Sequence, residues 1–357
     1  TGRLESVTKP ETGTTTYAYN TDGTVQHTID AKNQKTEFTY DSLKRVTAIK
    51  RFVNSSGVWV EQPCQEVSYA YDANPDTGAT YNLRGRLARV VAKQCDSVIT
   101  SYSEYFEYET SGLLQHRDSV WKRYNYAAYT LTRRVDPTFN QLGLLTNFGY
   151  GATGSLYSYA YTYDNTWRPA TMTGESLTLV NGVTYNAAGA MTAFTRNDGS
   201  GTNVTNSYTF NHLYQLTNQT VTKGGTTLQN LTYNFSSTQN NGQILSQNDA
   251  VSGETVEYAY DSLNRLLTAA TTGPQWGLSF TYDGFGNRTN QAVTKGSGPT
   301  HSVAIDPATN RISTSGYTYD NNGNMTQMPQ LTMSYDVANR MTTSNHASAG
   351  TQVYGYL

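Results

Sequence analysis

The sequence predicts an all-β chain of tandem β-hairpins, and three observations carry that reading. Its 357 residues include 29 tyrosines, with many Thr, Asn, Ser and Gly beside them. Tyr and Thr suit a pleated, half-buried surface, whereas Asn and Gly suit turns. Hydrophobic residues reach only 36%, below the roughly 45–50% of an ordinary globular domain. Last, a short motif recurs from one end of the chain to the other, so length per domain is a poor guide and growth by stacking a better one.

The motif is plainest in FTYDSLKRVTAI from Phe38, YAYDSLNRLLTA from Tyr258 and FTYDGFGNRTNQ from Phe280. YTYDNNGNMTQ from Tyr317 and MSYDVANRMTT from Met333 follow it, and weaker copies start at Tyr17, Tyr161, Val183 and Tyr208. The second aromatic falls at Tyr185, Phe210, Phe235 and Tyr260, steps of 25 residues. A period of about 20–25 residues is half a propeller blade. It holds one hairpin.

Each position has a physical reading. The two aromatics, such as Tyr258 and Tyr260, are two apart and share one face of a strand. Tyr40, Tyr163, Tyr260, Tyr282, Tyr319 and Tyr335 are therefore expected to form an aromatic ladder. Behind each comes an aspartate (Asp41, Asp164, Asp261, Asp283, Asp320 or Asp336), or Asn186 or Asn211 in weaker copies. A short side-chain oxygen there accepts a hydrogen bond from the backbone two residues on and starts a turn. Three residues after it stand Gly189, Gly286, Gly323, Asn264 or Asn339, residue types that accept positive φ and close the turn. An Arg or Asn and an apolar residue then open the return strand. The arginine is expected to pair with the aspartate of a neighbouring repeat.

The strings YAYDSLNRL, FTYDGFGNR and YTYDNNGNM resemble the YD-repeat or RHS-repeat family. The resemblance spans residues 1–357 as a continuous array of about a dozen hairpins, degenerate and carrying insertions around 52–150. It implies a β-sheet that spirals into a shell or tube, as in bacterial Rhs and insecticidal toxin-complex proteins and in teneurin-type shells. In the toxin systems such a shell encloses a toxic C-terminal domain. Those proteins carry an Asp-Pro-rich self-cleavage segment after the repeats, and neither Asp136-Pro137 nor Asp306-Pro307 lies in such a segment.

Reactive sites find little support. One carboxylate per hairpin, always in the same turn slot, reads as a structural device rather than an acid–base pair, so no catalytic residue is expected. Five scattered histidines lack metal-ligand spacing, and no metal or other cofactor is expected. Gly149-Tyr150-Gly151 and Gly296-Ser297-Gly298 lack the strand-to-helix setting of a phosphate loop and read as loops. A net charge of −2 with 15% charged residues leaves no footprint for nucleic acid. No apolar run is long enough for membrane insertion as a helix. Cys64 and Cys95 stand as a candidate disulfide for an oxidising compartment, or as two separate thiols.

The expected role is a non-enzymatic wall or scaffold of a secreted or cell-surface bacterial protein. Its partners would be further RHS repeats of the same or a neighbouring chain, with an enclosed toxin domain or surface glycans beyond them. Two alternatives remain open. The chain begins at Gly2-Arg3-Leu4, the second half of a hairpin, and ends at Tyr354-Gly355-Tyr356, the first half of another. It is therefore expected to be a segment of a longer protein, or else a filament subunit joined head to tail by strand complementation. The other alternative is an adhesion module whose aromatic rows bind glycans.

Overall fold

A computed structural model describes residues 2–93, 99–123, 130–197 and 199–356. Apart from the single 3-10 turn Pro63–Gln65, every described element is a strand. The chain divides into two compact units. One comprises residues 1–144, 148–156 and 305–357, the other residues 145–147 and 157–304.

In the first unit the strands pair antiparallel in chain order from Ser6–Lys9 to Thr130–Phe139. One insertion interrupts the meander. Val46–Ser55 pairs near its end with Val58–Glu61, a side hairpin turning at Ser56-Gly57, and near its start with Val67–Tyr71. The 3-10 turn that returns the chain to the sheet contains Cys64. The C-terminal part of this unit adds the short pair Ile305–Asp306 and Arg311–Ile312 and a five-stranded meander from Thr318–Tyr319 to Gly350–Val353.

The second unit is a single antiparallel meander, from the strand Ser155–Tyr163 to the strand His301–Ser302. Few apolar side chains in either unit are buried. Among the described residues these are Leu83, Ala88, Ala92, Tyr102 and Val337 in the first unit and Val204, Val256, Ala269, Phe280 and Val303 in the second. Stability therefore rests on the contacts that each hairpin makes with its neighbours, as in other repeat arrays.

The hairpins have two ends. At the YD end lie the turns that begin with the repeat's Asp or Asn; at the far end lie the turns that lead into the next repeat. Within the first unit these ends meet. The backbone N–H of Lys32, in a far-end turn, donates to Asn322 Oδ1 of a YD turn (3.0 Å), and Asn322 Nδ2 donates to Asp30 Oδ2 (2.6 Å). Lys32 Nζ lies 3.0 Å from Asp320, Arg311 donates to the Glu11 carbonyl at 2.6 Å, and the Val337 N–H donates to Gln65 Oε1 at 3.0 Å. Gly323, at φ +84°, is needed there twice over. A Cβ would sit 2.2 Å from the Glu11 carbonyl oxygen, and positive φ already favours glycine.

The two GxG stretches differ from the loops expected. Gly149-Tyr150-Gly151 lies inside the strand Leu145–Ala152, and Gly296 ends the strand Arg288–Gly296. Both glycines serve close backbone approach, since a Cβ would fall 2.5 Å from the Ser155 carbonyl oxygen at Gly151 and 2.0 Å from that of Gln275 at Gly296.

Candidate functional site: the joint between repeats

The Asp261 turn shows the repeating unit at its fullest. Strand Glu254–Tyr260 pairs with Leu266–Thr271 down to the rung Tyr260↔Leu266. Between them Asp261 Oδ1 accepts from the backbone N–H of Leu263 and of Arg265, both at 2.9 Å. Asn264 sits between those two at φ +62°. Asp41, Asp164, Asp283 and Asp336 make the same pair of backbone contacts, and Asp320 accepts from Asn324 N–H. Asn186 and Asn211 do likewise. With two N–H groups fixed on one oxygen, the turn tolerates left-handed backbone even at Lys44, Trp167 and Tyr214, with φ of 60–64°.

The second carboxylate oxygen holds the turn-exit side chain. Arg45, Arg168, Arg265 and Arg340 each pair with the aspartate of their own turn, at 2.6–2.8 Å. Asn287 and Asn324 take this place at Asp283 and Asp320. This departs from the expected ladder between neighbouring repeats; of these four, Arg45 also reaches a neighbouring carboxylate, at Asp72, and Arg265 donates to the Asp283 backbone carbonyl at 3.0 Å. The cause is reach, because the four-residue turn folds its exit residue back over its own first residue.

In all four the flat face of the guanidinium also crosses to the next repeat. Arg168 lies 4.3 Å from the Tyr185 ring centroid, Arg265 4.9 Å from Tyr282, Arg45 4.4 Å from Tyr71 and Arg340 4.8 Å from Tyr356. Cation–π contacts of this exposure contribute about 0.5–1 kcal/mol each.

The tyrosine reaches back in turn. Within a hairpin the ladder runs to the turn, but between hairpins it stops short: Thr268↔Ser279 is the rung nearest the YD end between the Asp261 and Asp283 hairpins. Beyond it the Leu266 carbonyl is met by the Tyr282 hydroxyl, which donates to it at 2.8 Å. Tyr40 reaches Val25 (2.8 Å), Tyr163 reaches Leu145 (2.7 Å), Tyr260 reaches Ile244 (3.0 Å) and Tyr335 reaches Met325 (2.8 Å) in the same way. Tyr319 differs, because its hydroxyl oxygen accepts from the Ile312 N–H at 3.2 Å. A hydrogen bond of this kind contributes about 0.5–1.5 kcal/mol net. The hydroxyl thus bridges a gap in the sheet where neighbouring strands splay apart.

The residue between the two aromatics points the other way. Thr39–Thr47, Thr162–Thr171, Thr184–Thr192, Thr209–Thr217, Thr281–Thr289 and Thr318–Thr326 share hydrogen bonds at 2.6–3.2 Å across each hairpin. Such cross-strand pairs are each worth about 0.2–1 kcal/mol.

The electrostatics follow the geometry. Hydrogen bonds from the Arg45 and Arg265 backbones, then from their side chains, hold Asp41 and Asp261 below the usual carboxylate range. The Arg168 backbone does the same for Asp164, and the Asn287 side chain for Asp283. Burial pushes Asp320 up, but the bonds from Asn324 and Lys32 outweigh it and the net direction is down. Asp72, held chiefly by Arg45, falls to about 2. Burial raises Tyr40, Tyr260 and Tyr335. These are ionised carboxylates engaged by their own turns, a poor state for proton transfer at neutral pH.

Among the described residues no cluster of His, Cys, Asp and Glu has the grouping of a metal site. Cys64 is disulfide-bonded. Cys95 lies outside the described residues. Sequence reading missed the stacking of Arg on the next Tyr and the reach of the Tyr hydroxyl. Spacing carries no signal for them, since Tyr260 follows the turn-exit residue Gln243 and Tyr335 follows Asn324 rather than an arginine.

Residues 240–275, which contain the Tyr260–Asp261 turn, match the family model of the RHS repeat. No curated protein matches the chain. Among solved structures the chain is similar to the TcdB2-TccC3 complex, with TM-score 0.75, 16% identity and 96% of this chain covered against 19% of the other. The TcdB2-TccC3-Cdc42 complex gives TM-score 0.74, 16% identity and coverage of 95% and 18%. The Tc holotoxin pore of Photorhabdus luminescens gives 0.74, 16%, 96% and 18%. The chain thus spans under a fifth of the length of those chains, and at this identity the likeness is one of fold. The YD/RHS resemblance carried by YAYDSLNRL is shown at the matched segment, and the shared fold extends over nearly all of the chain.

Proposed function

We propose that the chain is a non-enzymatic wall segment of a larger, secreted or surface-exposed RHS-type shell, and that the shell encloses a polypeptide cargo such as a toxin domain. The observation that carries the scaffold reading is the joint itself. In the repeats with Asp and Tyr, the carboxylate engages backbone N–H groups and a turn-exit side chain of its own turn, and the tyrosine hydroxyl engages the preceding hairpin. Chemistry repeated in that way sets spacing between hairpins. The enclosing role is supported by fold likeness to chains of Tc toxin complexes.

Within the wall, Asp41, Asp164, Asp261, Asp283, Asp320 and Asp336 form the turns. Tyr40, Tyr163, Tyr260, Tyr282, Tyr319 and Tyr335 act as struts at the splayed edge. Cys64 and Cys95 bracket the paired strands Val67–Tyr71 and Leu87–Lys93 as a disulfide, which an intact mass that rises on reduction would establish.

The test is protease protection of the native particle containing this chain, isolated without denaturant. The expected result is a second polypeptide that resists protease while the particle is intact and is degraded once acid opens it. A particle that protects no other polypeptide contradicts the enclosing role.

A further inference from the structure

The seam where the two hairpin ends of the first unit meet is built on a chemically labile pair, Asn322-Gly323. In an Asn-Gly sequence the glycine nitrogen can attack the asparagine side-chain carbonyl carbon, because no Cβ on the second residue stands in the way. The bond from that carbon to the side-chain nitrogen breaks, and ammonia leaves with the glycine N–H proton. Water then opens the five-membered imide at either carbonyl, giving aspartate or isoaspartate. The chain has three such pairs, Asn181-Gly182, Asn241-Gly242 and Asn322-Gly323. Asn181 and Asn241 are exposed, and Asn241 accepts from the Gln243 N–H at 3.2 Å. Asn322 is only 7% exposed and is held at both ends of its amide. Its Oδ1 accepts from the Lys32 N–H at 3.0 Å, and its Nδ2 donates to Asp30 Oδ2 at 2.6 Å and to Asn339 Oδ1 at 2.9 Å. The Gly323 N–H donates to the Asp320 carbonyl at 3.0 Å.

We propose that Asn322 is a deamidation site kept closed by the docked turns, so that a seam once opened is marked and does not re-form. Ring closure requires Asn322 Cγ to swing onto the Gly323 nitrogen. Three side-chain hydrogen bonds oppose that swing, and the Glu11 carbonyl pressed against Gly323 blocks the backbone rotation that goes with it. The undocked turn is therefore the reactive one, and the rate follows the population of the locally opened state. The product cannot dock as Asn322 does. A carboxylate there has no N–H for Asp30 Oδ2 or Asn339 Oδ1, so acceptors converge without a donor and two carboxylates face each other across the contact. Isoaspartate also lengthens the backbone of a four-residue turn by one methylene. The site stands on the seam alone and holds whatever the wall encloses.

Peptide mapping by mass spectrometry tests it on the folded chain, incubated near neutral pH and sampled over time. Asn241 is expected to convert, and Asn322 to convert at least about tenfold more slowly. Lys32→Ala removes the ion pair to Asp320 and Arg311→Ala the bonds to the Glu11 carbonyl. Each is expected to speed conversion of Asn322 several-fold and to leave Asn241, the clock within the same chain, unchanged. Asn322→Asp mimics the product. Its Val337 amide, which donates to Gln65 across the same seam, is expected to exchange faster while the β circular-dichroism spectrum stays as in wild type. Wild-type Asn322 that converts as fast as Asn241, or a rate that neither seam variant moves, overturns the protected site. Unchanged protection of Val337 in Asn322→Asp overturns the one-way seam.

Discussion

The Asp261 and Asn211 turns have the same backbone and different chemistry. In both, one side-chain oxygen accepts two N–H groups, from Leu263 and Arg265 or from Leu213 and Gln215. At Asp261 the rest of the joint is ionic, with Arg265 on the carboxylate and over Tyr282. At Asn211 it is all amide: Asn211 donates to Gln215 Oε1 at 2.7 Å, and Gln215 exchanges hydrogen bonds with Asn240. Asn240 lies in the next turn region, so the amide version also spans repeats. The acceptor oxygen is thus the constant part and the charge a variable one.

Acid should separate the two turns most sharply, because it acts on every aspartate turn at once and on no asparagine turn. The folded carboxylates of Asp41, Asp164, Asp261, Asp283 and Asp320 lie below their ordinary value, so the folded chain binds fewer protons than the unfolded one. Their contribution is therefore fully present above pH ~4 and is lost as pH falls through the folded values. The denaturant midpoint is expected to hold level from neutral pH down to about 5 and to fall between about 4 and 2. A midpoint independent of pH in that window would break the comparison.

Removing the acceptor comes next. Asn211→Ala is expected to cost about 1 kcal/mol, like loss of a helix N-cap oxygen. Asp261→Ala should lower the melting temperature at least as far, since Arg265 also loses its partner. Asp261→Asn should recover most of that loss, and thermal melts of the three variants rank them. Tyr260→Phe keeps the ring but leaves the Ile244 carbonyl without its donor, an expected loss of about 0.5–1.5 kcal/mol by urea titration. Arg265→Gln imports the Gln215 arrangement into the ionic turn and should have the smallest effect, because exposed ion pairs contribute little. A loss from Arg265→Gln larger than that from Tyr260→Phe would reverse the order of importance given to charge and strut.

Local parts of this design were legible in the sequence. A two-residue aromatic spacing fixes a face, and an Asx residue with Gly or Asn three positions on fixes a turn, because both are short-range geometry. Lys44, Trp167 and Tyr214 show where that reading thins, since none is a residue type that advertises positive φ. The target of the arginine was misjudged because a repeated Asp and a repeated Arg look equally able to pair within or between copies. The Tyr282–Leu266 bond and the Asn322–Asp30 contact depend on where rungs stop between hairpins and on which turns the chain meets about 290 residues later. Composition and spacing carry neither.

The repeat's aspartate works first as a fixed acceptor for its own turn, and at any one turn its charge adds a smaller share. Amide hydrogen exchange at Leu263 and Arg265 tests this directly in wild type, Asp261→Asn and Asp261→Ala. Protection of both amides should persist in wild type and Asp261→Asn and vanish in Asp261→Ala. Protection that survives Asp261→Ala, or is already lost in Asp261→Asn, would contradict it.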